Sequence, residues 1–377
     1  MSPIWTIESR VKPFLTFIRI NVFIVIITFT SCSYQNIRPN PAEIDLMQTA
    51  LQGLSADYSN PRLVNGKLVV IVSEIDTILG RSPNTNNSTG DISADQTPFL
   101  GIWSADIDSY PTQKLLTDKT ITPAPDMTFT DNQYGNRVLF WDVLKQLDQN
   151  NTLSIFREFS YLTFDYRPQT DPEAERQAWH TIPNQILAKY TRAEPFLEQD
   201  EALIDTVFHL LENISDPVSQ ANVLYDWVQS SMTYIYPPEE RGVQNAFATL
   251  QGDCGQYSAL FITMARIAGI PARQQSGFNF YPGNTGAHVW SEIYLPIKGW
   301  VPVDATREDG FLHLDNRRLI TSVGLNIPLE LAPDWATFTN SEVENGRTDF
   351  MQMFTLVSRG VLANYRTERI VIRSVEL

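Results

Sequence analysis

The chain has 377 residues, a formal net charge of −15 and 43% hydrophobic residues. It is too long for one ordinary domain and too apolar for a disordered one, so two or three packed domains are expected. No basic cluster stands out among the 28 Lys and Arg residues, which excludes nucleic acid as an expected partner.

The first segment carries Arg10, Lys12 and Arg19, then the apolar run "VFIVIITF" over 22–29, then "TSC" ending at Cys32. That run is shorter than the ~20 apolar residues a membrane-spanning helix needs. Basic residues, a short apolar core and small residues, in that order, read as a signal peptide over 1–31. A cysteine directly after the small residues resembles the bacterial lipoprotein signal. The resemblance implies lipidation at Cys32, residues 32–48 as a tether, and an exported protein, periplasmic or at the cell surface, held to a membrane by its lipid. An uncleaved anchor, or secretion with Cys32 free, are the alternatives.

Residues 49–177 are mainly strand-like. "KLVVIVSEI", "FLGIWSADI" and "LSIFREFSYLTFDY" are rich in β-branched and aromatic residues. A β-sandwich-like N-terminal domain is expected, with the polar stretch 80–96 as a loop and "RVLFWDVLKQL", 137–147, as an interrupting helix. "RPQTDPEAER", 167–176, reads as a boundary.

Helices follow. Leu203, Ile204, Val207, Phe208 and Leu211 share one helical stripe. In the next helix, Ser215 or Asp216 caps, Pro217 opens the first turn, and Ala221, Leu224, Trp227 and Val228 share a face. In "GDCGQYSALFITMARIAGIPAR", 252–273, Asp253 can cap, Leu260, Phe261, Met264, Ile267 and Ala268 form an apolar stripe, and Gly269 with Pro271 stops the helix. Cys254 thus falls in the first turn, where unpaired N–H groups and the helix dipole favour an anion and should lower a thiol's pKa. "RIVIRSVEL" at the end of the chain alternates like a strand, and 331–377 reads as a C-terminal β extension.

Only two cysteines occur, and with Cys32 blocked by lipid Cys254 has no partner for an intramolecular disulfide. A nucleophilic thiol needs a base, and the base needs an orienting group. Of the four histidines, His209 reads as a helix-face group, His180 lies near the boundary, and His313 lies in a loop-like stretch. His288 stands at the head of the strand "AHVWSEIYL", after the flexible "YPGNTGA". Asp304 lies near the end of the next strand, "GWVPVDAT". A four-residue connection, 296–299, would pair 295 with 300 and turn Asp304 to the opposite sheet face. A five-residue connection pairs 294 with 300, and Asp304 becomes a diagonal neighbour of His288 on the same face, with Cα atoms ~7–8 Å apart; the triad needs that odd-length connection or a bulge, for instance at Pro302.

The order Cys254, His288, Asp304 resembles the transglutaminase-like superfamily, circularly related to the papain-like cysteine peptidases. The resemblance rests on "GDCGQYSALFITMARIAGIPAR", "AHVWSEIYL" and "GWVPVDAT", with the lead-in helix "ANVLYDWVQSSMTYIY", and covers about 200–308. Val289 and Ala305 depart from the common residues at their positions, and neither is a triad member. The resemblance implies an α+β fold with a transglutaminase-like, papain-like core over 178–330. It implies Cys254 as nucleophile, His288 as general base and acid, and Asp304 as the group orienting the imidazole. It also implies an upstream aromatic as oxyanion donor beside the Cys254 N–H, for which Tyr234 is the candidate and Gln251 and Gln256 are rivals.

Trp290 and Trp300 read as sheet packing, and Arg266 and Arg273 as structural ion pairs. The expected chemistry is acyl transfer through a thioester, on a peptide or protein substrate, with no metal, calcium included, and no organic cofactor. Hydrolysis of a peptide or isopeptide bond is favoured, because bacterial relatives more often look hydrolytic. Protein crosslinking and a non-catalytic binding or assembly module are the alternatives.

Overall fold

The computed structural model describes residues 38–77, 98–116, 120–281, 284–332, 346–348, 351–352 and 354–377. The expectations for the signal peptide, for Cys32 and for the 80–96 loop fall outside these residues.

The N-terminal segment forms two antiparallel sheets. In the first, the long strand Tyr58–Thr77 lies between Leu153–Tyr166 and Val361–Glu376. In the second, Phe99–Ala105 lies between Arg137–Asp142 and Phe354–Arg359. Period-2 alternation decides what each face buries. Leu100, Ile102, Leu139 and Trp141 pack against Val70, Val72, Leu153 and Ile155 of the first sheet. The other face, with Trp103, Ala105, Val138 and Phe140, is covered by Ile327, Leu329 and Met351. The two sheets therefore share one apolar layer, as a sandwich does.

Two local expectations are corrected. Residues 137–147 form the strand Arg137–Asp142 followed by the 3₁₀ turn Val143–Lys145, not a helix. Val138, Leu139, Phe140 and Trp141 are buried on both faces between neighbouring strands, and a short apolar run is ambiguous until such neighbours are known. The expected tether is helical from Pro41: the helix Pro41–Gln52 opens with a capping box between Asn40 and Glu43, and buries Met47 beside Leu63, Leu162 and Val375. The C-terminal segment is β-structured as expected, and its strands Val361–Glu376 and Phe354–Arg359 pair with Tyr58–Thr77 and Phe99–Ala105 of the N-terminal sheets.

The helical core is built around Cys254–Ile267. Leu260, Phe261, Ile262, Met264 and Ala265 are fully buried, so this helix is apolar nearly all round and is wrapped on several sides. Leu203 and Val207 of the helix Glu201–Leu210 pack on it, as do Ala221, Leu224 and Val228 of Pro217–Ser231. Phe208 departs from its expected stripe and is 64% exposed, because the buried face centres on Leu203, Val207 and Leu211.

Against the central helix lies a four-stranded antiparallel sheet, in the order Gly299–Val303, Asn284–Leu295, Ala272–Tyr281, Arg318–Val323. Ile293, Leu295, Val301 and Val303 complete the shared core. At Gly277 the last two strands come so close that a Cβ would stand 1.9 Å from the Leu319 carbonyl oxygen, so only glycine fits there.

Candidate active site

Asp253 caps the central helix: its Oδ1 accepts from the N–H groups of Gly255, at 2.9 Å, and Gln256, at 3.3 Å. The cap fixes Cys254 as the first helical residue, half-buried. Asp253 Oδ2 also pairs with Arg241 Nη1 at 2.8 Å. The expected depression of the thiol pKa is not what the site produces. Burial, and then the Asp253 carboxylate, push the Cys254 thiol up to about 11, with Asp304 adding to the effect. The backbone N–H of Val289 and the Arg241 cation act the other way. The helix end is outweighed because the residue that caps it brings a negative charge to the sulfur. Near neutral pH the resting sulfur therefore carries its proton.

Asp253→Asn keeps an oxygen for the cap and removes the charge. The pH midpoint of Cys254 alkylation by iodoacetamide is expected to fall by about a unit or less. An unchanged midpoint would remove Asp253 from this account.

The hairpin takes the odd-length connection. Tyr294 pairs with Trp300 and Ser291 with Val303, a register that carries His288 and Asp304 to one face. His288 is not at the head of its strand. It pairs with Gly277 well inside Asn284–Leu295, because that strand runs back to Asn284. His288 Nε2 lies 2.8 Å from Asp304 Oδ2, and the two residues are 8% and 2% exposed. Nε2 is thus the ring nitrogen that faces the carboxylate. Trp290, fully buried, stacks on the imidazole with 5.9 Å between centroids, and its Nε1 donates to Gln275 Oε1 at 2.6 Å. This is the packing role expected of Trp290.

Asp304 is fixed on every side. Its Oδ1 accepts from the Thr306 N–H at 3.1 Å and the Thr306 hydroxyl at 2.6 Å. Its Oδ2, besides facing His288, accepts from Arg318 Nη2 at 2.9 Å. Its N–H donates to the Gly310 carbonyl at 2.8 Å, and a Cβ on Gly310 would stand 2.0 Å from the Asp304 carbonyl oxygen. Burial alone would raise this carboxyl. The charges of His288 and Arg318, with the hydrogen bonds from His288 and Thr306, hold it well below the usual carboxylate range.

Tyr234 belongs to the short strand Thr233–Tyr234, which runs parallel to Gln251–Gly252 and so leads to the nucleophile. It is 53% exposed. Burial of its hydroxyl, then the nearby Cys254 and Asp253, push that hydroxyl up to about 12, while the Cys254 N–H acts the other way. The hydroxyl thus lies beside the helix tip and keeps its proton near neutral pH. Gln256 does not compete for this role: its Nε2 donates to the carbonyls of Glu240 and Gly242, and its Oε1 accepts from the Gly242 N–H. Gln251 is exposed.

Arg266 pairs with Glu194 at 2.8 Å, and Arg273 pairs with Glu292 at 2.7 Å while lying 3.9 Å over the Trp300 ring. Both stand as structural pairs. Sequence reasoning missed Arg318. The only signal was a charged residue opening the apolar strand "RLITSV". Among the described residues no cluster of three or more His, Cys, Asp or Glu side chains is placed to hold a metal, and no helix is long and apolar enough to cross a membrane.

Residues 205–305 match the family model of the transglutaminase-like superfamily. An uncharacterized protein of Haemophilus influenzae is 24% identical over 209 residues, 46% of this chain and 54% of that protein. The uncharacterized protein YebA of Bacillus subtilis is 26% identical over 117 residues, 27% of this chain and 16% of that protein. The matched part thus spans about half of the first relative and a small fraction of the second.

Among solved structures, a candidate cysteine protease from Cytophaga hutchinsonii aligns with a TM-score of 0.48 at 16% identity, covering 82% of this chain and 91% of that one. The periplasmic domain of TgpA from Pseudomonas aeruginosa aligns with a TM-score of 0.32 at 16% identity, covering 68% and 90%. The segment 205–305, which holds Cys254, His288 and Asp304, thus matches the transglutaminase-like superfamily within a mixed helix and sheet architecture.

Proposed function

We propose that the chain is a thiol-dependent acyl-transfer enzyme that hydrolyses peptide or isopeptide bonds through Cys254, His288 and Asp304. The observation that carries this reading is the buried His288–Asp304 contact at 2.8 Å, with the Asp304 carboxylate and the Val289 N–H both near enough to act on the Cys254 thiol. A buried imidazole bonded to a carboxylate through one nitrogen has a fixed tautomer and can support a positive charge when the other nitrogen takes a proton.

Chemically, Cys254 Sγ attacks the acyl carbon as its proton passes to His288 Nδ1. The carbonyl oxygen takes the negative charge, facing the Cys254 N–H and the Tyr234 hydroxyl. Collapse breaks the bond to the amine, which leaves with the proton from His288. The acyl group is then a thioester on Cys254. Water attacks it, gives its proton to His288, and the free acid departs as the thiol is restored. A neutral resting thiol suits this order, because proton loss and attack are coupled rather than separate. With Cys32 lipidated after export, the enzyme would meet its substrates at a bacterial membrane surface.

The test is incubation of the protein with peptide libraries, with and without an added primary amine, read by mass spectrometry. Hydrolytic products are expected, with the amine left unincorporated. Preferential incorporation of the amine would make the chain a crosslinking transferase, and absence of any product would favour a binding or assembly module.

A further inference from the structure

Arg318 opens the strand Arg318–Val323 and its side chain is 3% exposed. Its one short hydrogen bond runs from Nη2 to Asp304 Oδ2 at 2.9 Å, the same oxygen that faces His288 Nε2. Nε and Nη1 are buried without a hydrogen-bond partner, although Asp315 Oδ2 stands 3.7 Å from Nε. The guanidinium carbon lies 5.5 Å from the Trp290 ring and 5.8 Å from the Tyr281 ring. Trp290 is also the ring stacked on His288. Arg318, Trp290, His288 and Asp304 therefore close a ring of contacts inside the fold.

From this geometry we propose that Arg318 is a positioning residue of the active site, which locks the Asp304 carboxylate onto His288 and restrains protonation of the imidazole. This inference rests on the triad reading above. Two consequences follow from one oxygen serving two donors. The carboxylate cannot rotate away from His288 without stripping a buried cation of its counter-charge. The imidazolium that forms during acylation sees a carboxylate whose charge is already shared, with a like charge close behind it. A base held in this way gives its proton back to the leaving amine more readily than one facing an undivided carboxylate.

Other groups face the same pair. Cys254 lies near Asp304 at the helix tip, with Asp253 beside the sulfur, and the Tyr225 hydroxyl comes from the helix Pro217–Ser231. Tyr281, Arg307 and Asp315 surround the far side of Arg318. Of the cations, Arg318 alone is hydrogen-bonded to Asp304 among the described residues.

The test separates position from mere stability. With 15N-labelled histidine in a Cys254→Ala background, the titration midpoint of His288 is followed by NMR in the arginine protein, in Arg318→Met and in Arg318→Lys. Arg318→Met is expected to raise the midpoint by about one unit. Arg318→Lys keeps the charge and should hold the midpoint near that of the arginine protein. In the active protein, Arg318→Met should lower kcat about 10–100-fold with little change in KM, and should move the acid limb of the kcat/KM profile to higher pH. If the methionine variant is too unstable to titrate, the neutral Arg318→Gln takes its place.

An unmoved midpoint in the neutral variants overturns the proposal, whatever happens to melting temperature. The NMR arm needs no turnover. A shifted midpoint in a chain that cleaves nothing would therefore leave this inference standing and sink the hydrolase reading, while cleavage with an unmoved midpoint would do the reverse.

Discussion

Cys254→Ala is expected to abolish acyl transfer, with kcat/KM on a cleaved peptide falling by about 10⁴-fold or more, because in the proposed mechanism its sulfur forms the covalent intermediate. The fold should survive. Cys254 is half-buried at a helix tip, its loss opens no large cavity, and the cap comes from Asp253. The melting temperature should therefore stay close to that of the parent, since such a change costs about 1 kcal/mol or less. His288→Ala should be about as damaging, and the double variant Cys254→Ala/His288→Ala scarcely worse than either single one, as residues acting as one unit are not additive. Steady-state kinetics on one peptide and a melting curve for each variant check this. A Cys254→Ala protein that retains a tenth of the activity would contradict it.

Asp304 carries the second large effect, and it falls on both rate and stability. Asp304→Asn keeps the shape but offers His288 a neutral partner, so kcat should fall by about 10³–10⁴-fold. Asp304→Ala additionally strands Arg318, whose one hydrogen-bonded counter-charge is this carboxylate. Breaking one side of a buried ion pair costs about 3–5 kcal/mol, visible as a lower denaturation midpoint at neutral pH.

The pH dependence has a definite sign. The folded-state pKa of Asp304 lies below the unfolded value, near 3.8. The contribution of Asp304 to stability is then fully present above that value, and is lost as pH falls below it toward the folded-state pKa. Unfolding curves for the parent and Asp304→Asn should therefore differ most at neutral pH and converge on acidification. A gap that widens as the pH falls would contradict this.

The site was legible in the sequence to the extent that its parts are local. The Asp253 cap, the helix after it and the proline that follows are signals a few residues long, and they put Cys254 where the fold has it. The hairpin register was narrowed to two choices by counting, and only the pairing of Tyr294 with Trp300 decided between them. The signals failed where distant chain decides. Residues 137–142 become a strand because Phe99–Ala105 and Met127–Thr130 flank them. The pairing of Val361–Glu376 with Tyr58–Thr77 joins segments some three hundred residues apart, which no local pattern encodes.

The thiol departs from its sequence expectation for a related reason. A helix tip favours an anion in isolation, but burial and the charge of Asp253 were not visible as competitors. Arg318 is the sharpest case. An arginine at the start of a strand is unremarkable until the fold places its Nη2 on the orienting carboxylate.

Covalent trapping bears most directly on the central claim. A cleavable peptide found in the library screen is mixed with the protein, the reaction is quenched in acid before turnover completes, and intact mass is followed by peptide mapping. The expected result is an acyl adduct, lost as water is added to it, mapped to Cys254 in the parent and absent from Cys254→Ala. Peptide products that form equally in Cys254→Ala, or an adduct that maps to any other residue, would contradict it.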